Sequence, residues 1–172
     1  MAAESGNDLA KELDAILDSY YNVTGKEQTG LSNEEQEAFL EKFERIKTDV
    51  IKPVMVEIGK YLETKGHSFQ IRDDASLYID NPSVKMEIYP KTSGNAQIQD
   101  REFPTITFIA EPDIKMVGIE MRDGMPGRPG LTRGHMTDLD SITGDYVRNQ
   151  IAAVLKINFV KRAQKGHRSA IT

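Results

Sequence analysis

Cysteine is absent from this chain. Without thiols there is no disulfide framework, no thiolate metal site and no cysteine nucleophile. The same absence fits a reducing compartment. No stretch reaches the roughly 20 apolar residues that span a bilayer. The N-terminus, Met-Ala-Ala-Glu-Ser-Gly-Asn-Asp, has neither the basic start nor the apolar centre of a signal peptide. The expectation is a cytoplasmic protein without membrane contact.

Catalytic signatures are equally scarce. Gly-x-Ser-x-Gly, the Walker phosphate loop and the spaced-glycine dinucleotide fingerprint are all missing. The three histidines, His67, His135 and His167, have no second histidine or carboxylate at metal-ligand spacing, so no metal and no cofactor is expected. Asp73-Asp74 reads as a turn, where aspartates bond the local backbone, and not as an acid–base pair. Asp138 and Asp140 precede the last helix, where negative charge favours the helix start. These gaps argue against an enzyme.

What is present is a strong helical pattern. Ser32 and Glu35 have capping-box spacing. Phe39, Phe43, Ile46, Val50, Val54, Ile58 and Leu62 then recur at steps of three or four, one buried helix face. Pro53 predicts a kink near Lys52, because proline removes a helical hydrogen bond and crowds the preceding turn. Gly66 suits a left-handed helix stop, and His67 reads as a residue whose imidazole caps a carbonyl there. Upstream, Asn7 caps a short amphipathic helix with the stripe Leu9, Leu13, Ile16, Leu17 and Tyr20. Such a short helix must pack on something to persist.

After Gly66 the period changes to two. Strands are expected at 67–72, 76–80, 84–88, 105–110 and 114–121, with turns at Asp73-Asp74, Asn81-Pro82 and Glu111-Pro112-Asp113. Residues 91–104 read as an exposed loop. Arg122 to Gly134 contains four glycines and two prolines, a density of breakers that predicts no regular element. Ser141 or Thr143 caps a last helix with the buried face Tyr146, Val147, Ile151, Val154, Leu155 and Phe159.

The expected fold is α+β: a single antiparallel sheet of about five strands, with the long kinked helix and the C-terminal helix packed on one face. Residues 1–30 form an N-terminal helical arm and linker, 31–160 the single domain, and 161–172 a basic flexible tail. The element order resembles that of the small acidic chaperones of bacterial secretion systems, which pair through helix or strand edges. It departs from them where a helix would lie between the third and fourth strands.

Charge is uneven. Residues 1–64 carry 7 Lys/Arg against 14 Asp/Glu, and residues 122–172 carry 9 against 4. The reading adopted here is that acidic helices and basic tail lie side by side and neutralise each other. Tyr146 and Phe159 fall on the apolar stripe of the last helix, which argues against a nucleic-acid surface. The function expected is a non-enzymatic protein-interaction module, adaptor- or chaperone-like, acting on a protein partner or as a homodimer. The alternative is a small-molecule or anion-binding module built on loop 122–135. There Arg122, Arg128, Arg133 and His135 would grip a small anionic ligand, the guanidinium groups through paired donors.

Overall fold

The computed structural model describes residues 11, 13–18, 32–73, 81–91, 103–123 and 132–168. Helix α1 (Asn33–Ile46) passes through a π-helical segment (Lys47–Ile51) into α2 (Lys52–Thr64). Strands β1 (Ser68–Asp73), β2 (Ser83–Tyr89), β3 (Thr105–Glu111), β4 (Met116–Arg122) and β5 (Thr132–Thr137) follow. A 3-10 turn (Leu139–Ser141) leads into α3 (Gly144–Arg168). The five strands form one antiparallel sheet in sequential order. The fold is α+β.

Local chemistry explains the helix ends. Ser32 accepts from the Glu35 amide at 3.3 Å and the Glu35 carboxylate accepts from the Ser32 amide at 3.1 Å, a complete capping box. At the far end Gly66, at φ +86°, donates to the Glu63 carbonyl, and His67 donates to the Leu62 carbonyl, which together make a Schellman stop. The His67 imidazole does not cap a carbonyl as the sequence suggested. Its Nδ1 accepts from the Lys91 amide at 2.9 Å, so this ring tethers the chain after β2 to the end of the helix.

The helix is continuous across Pro53, and the irregularity lies just before it. The Lys52 amide donates to the Lys47 carbonyl five residues back, the wider bond of a π turn. Directly N-terminal to Pro53, an α-helical carbonyl four residues back would collide with the proline ring, and the wider turn relieves this. The extra residue also brings neighbouring positions onto the buried face. Phe39 and Phe43 are buried before it, but Ile51 and Met55 are fully buried after it, while Val50 and Ile58 are only half-buried. Val54 and Leu62 are buried as expected and Ile46 is half-buried, so the stripe runs along the whole helix and widens after the π segment to take in Ile51 and Met55.

Strand register defines the two sheet faces. Phe69 stands opposite Ile88 and Ile71 opposite Met86; Val84 stands opposite Phe108 and Met86 opposite Ile106; Phe108 stands opposite Ile119 and Ala110 opposite Val117. This apolar face meets α1, α2 and α3 in one core, to which α3 gives Val147, Ile151 and Val154. Thr143 Oγ1 accepts from the Tyr146 amide at 3.2 Å and caps α3 as expected. α3 runs alongside α2 in the same direction: Gly144 abuts Val54, Arg148 pairs with Glu57 at 2.9 Å, and the Phe159 ring meets His67 edge-on at 5.0 Å.

Three expectations need correction. Thr132–Thr137 is a strand pairing along β4, although it falls where breakers predicted an irregular loop. An edge strand needs only one neighbour, and a single glycine weakens it without forbidding it. The strand expected from Ile114 begins at Met116; Ile114 and Lys115 belong to the turn, where Lys115 takes φ 51°. Helix α3 continues through residues 161–168 instead of ending near Phe159. The strand expected at 76–80, the cap at Asn7 and most of the loop at 91–104 lie outside the described residues.

Candidate functional site

Arg122 is the last residue of β4 and is exposed, not part of a loop. Arg133 and His135 lie on β5, and Arg128 lies outside the described residues. Register pairs Arg122 with Thr132, and Arg133 with Met121. Because successive strand positions alternate between faces, Arg122 and Arg133 occupy positions on opposite faces of the sheet. Register therefore sets the position of Arg122 on the face opposite those of Arg133 and His135. His135 stands opposite Ile119, and its Nε2 lies 3.0 Å from the Tyr146 hydroxyl, which ties the edge strand to the first turn of α3. At the other end of the same connection, the fully buried Asn158 amide donates to the Asp123 carbonyl and fixes the point where the chain leaves β4.

The most developed polar cluster lies elsewhere, on the face of the sheet turned away from the helices. Val84, Met86 and Ile88 point into the core, so alternation turns Lys85, Glu87 and Tyr89 outward. The Glu87 carboxylate accepts from Tyr89 at 2.6 Å and pairs with Lys85 at 2.7 Å and Arg72 at 3.3 Å. The Tyr89 ring meets Phe103 edge-on at 4.5 Å. Burial pushes the Glu87 carboxyl up, but the Lys85 ammonium, the Tyr89 hydroxyl and the Arg72 charge outweigh it and hold the group below the usual carboxylate range. Burial and the bond to Glu87 hold the Tyr89 phenol above its ordinary value. General acid–base work needs a group poised near neutrality. This pair is displaced away from neutrality on both sides, so its chemistry is that of a structural ion cluster.

Glu87 makes acid stability testable. Its folded carboxyl titrates below the unfolded value of about 4.3. Its contribution is therefore complete above that value and lost as the pH falls through the folded one. Glu87→Gln is expected to destabilise at neutral pH, and its deficit against the wild type to close as the pH falls below about 4. Urea midpoints measured across that range check this. A deficit that stays constant would assign the effect to packing.

A second feature is a shallow, open depression along α1, lined among the described residues by Glu37, Leu40, Glu41, Glu44 and Arg45, of which Glu44 pairs with Lys47 at 2.9 Å. The three glutamates are exposed and Leu40 is half-buried against the core. Sequence reading assigned α1 a buried stripe but no surface role, although the acidic steps between its apolar positions were there to be read.

Among the described residues, no group of three His, Asp or Glu side chains is placed to hold a metal ion, and no helix is long and apolar enough to cross a membrane. No family model, no curated protein and no solved structure matches the chain.

Proposed function

We propose that the chain is a non-enzymatic protein-interaction module, adaptor- or chaperone-like, that works in the cytoplasm as a homodimer. Its partner contact is the helical stretch at residues 13–18. The observation carrying this reading is the exposure of that stretch: Leu13, Ile16 and Leu17 are 50%, 58% and 49% exposed. Their steps of three and one make a single apolar stripe. An isolated helix of this length is marginal in water, because nucleation costs more than a few hydrogen bonds return. Burying the stripe against the same stripe of a second copy supplies the missing apolar contact.

Sedimentation velocity over a range of concentrations tests this. The full chain is expected to shift from monomer to dimer, and Leu13→Asp with Ile16→Asp and Leu17→Asp to remain monomeric with unchanged thermal stability. A wild type and a variant with the same sedimentation would remove the N-terminal stripe from the interaction.

A further inference from the structure

One imidazole holds the end of α2 and the exit of β2 together. The Glu63 and Leu62 carbonyls close the helix on the amides of Gly66 and His67, and the chain then enters β1 with the His67 ring beside Lys91. The Lys91 amide donates to His67 Nδ1 at 2.9 Å. The contact is reciprocal. Gly66, at φ +86°, has no side chain, and the stem of Lys91 passes 3.0 Å from the place a Cβ would take there. The Lys91 ammonium lies 3.5 Å from the same point, at the negative end of the α2 dipole. The half-buried ring also meets Phe159 of α3 edge-on at 5.0 Å.

A backbone amide can only donate. Nδ1 accepts from it only while unprotonated, which assigns the neutral tautomer with its hydrogen on Nε2. His135 differs: its partner is the Tyr146 hydroxyl, which donates or accepts, so that bond outlasts protonation. At His67 a second ring proton sets two N–H groups against each other, and the bond is lost. The same proton puts a positive ring beside the Lys91 ammonium. The charged residues on the elements around the ring are Glu63 and Lys65 at the end of α2, Lys91 itself, and Lys156 one turn before Phe159. Cations predominate among them. The Lys65 ammonium lies over the Tyr61 ring, 5.6 Å from its centre.

We propose that His67 is a pH-operated clasp between the helix layer and the sheet. Neutral, the ring holds the exit of β2 against the α2 stop. Protonated, it loses the amide and repels the Lys91 ammonium, and the exit of β2 detaches. Histidine changes charge between about pH 5 and 8, so mild acidification works the clasp. The bond contributes fully where the ring is neutral, and its contribution is lost as the pH falls through the ring's titration. This device goes beyond the N-terminal stripe contact and does not depend on it.

A nuclear magnetic resonance titration of the full chain from about pH 8 to about pH 5 tests this. Two readouts are followed: the His67 ring signals, and the protection of the Lys91 amide against hydrogen exchange relative to the unfolded rate at each pH. Protection is expected to fall about fivefold, the worth of one hydrogen bond, with the same midpoint as the ring. The Ile88 amide, which donates to the Pro104 carbonyl, should keep its protection throughout. His67→Asn offers a side-chain oxygen that does not titrate, and its Lys91 protection should not change over this range. His67→Phe keeps a ring against Phe159 but no acceptor, and should leave the amide unprotected at every pH. The proposal is overturned if Lys91 protection ignores the ring's titration, if it falls in His67→Asn as in the wild type, or if it survives in His67→Phe.

Discussion

Phe43→Ala is expected to lower the free energy of unfolding by about 3–5 kcal/mol. Phe43 lies in the middle of α1, is fully buried, and belongs to the same core cluster as Ile51, Met55, Phe108 and Val147. Truncation removes the transfer energy of the ring and leaves a space that helix and sheet cannot both close. For a chain of this size each kcal/mol shifts the melting temperature by about 2–4 °C. Urea unfolding followed by circular dichroism gives the free energy, and a loss below about 1 kcal/mol would show that the ring does not pack in the core. Ile46, placed on the same stripe by its spacing, is only half-buried and should cost less.

The difference between those two residues shows how far the sequence reaches. The capping box at Ser32 and the Gly66 stop are decided within six residues, and both were legible. The alternation of Val84, Met86 and Ile88 revealed a strand with one buried face for the same reason. β5 was not legible, because Thr-Arg-Gly-His-Met-Thr has one large apolar residue, and its strand character comes from hydrogen bonding along β4. The π segment was half legible: Pro53 announced an irregularity, but not that Ile51 and Met55 would join Val54 and Leu62 on the buried face. At the candidate site the difficulty was of dimension. Arg122 and Arg133 lie near each other in a glycine-rich stretch, yet register assigns their positions to opposite faces. Conversely, Arg72 and Glu87 lie far apart in sequence and meet because β1 pairs with β2.

Gly59→Ala is the second substitution with a large expected effect, and its sign opposes helix propensity. Alanine is favoured over glycine inside a helix by about 1 kcal/mol. Gly59 lies in the middle of α2, so on that ground alone the change would stabilise. A Cβ built there, however, falls far inside van der Waals contact of the Phe69 ring on β1, with three of its carbons too close. Gly59 is the point where helix and sheet approach each other, and it is itself buried. Overpacking of this kind costs about 1–3 kcal/mol, enough to outweigh the propensity gain. Phe69 is packed against the core, which restricts how far the ring can turn aside. A double-mutant cycle separates the two terms. Phe69→Ala alone should destabilise, and adding Gly59→Ala to it should then stabilise by about 1 kcal/mol, as the propensity alone dictates. If Gly59→Ala has the same effect with and without the ring, the close approach of α2 to β1 does not set the cost.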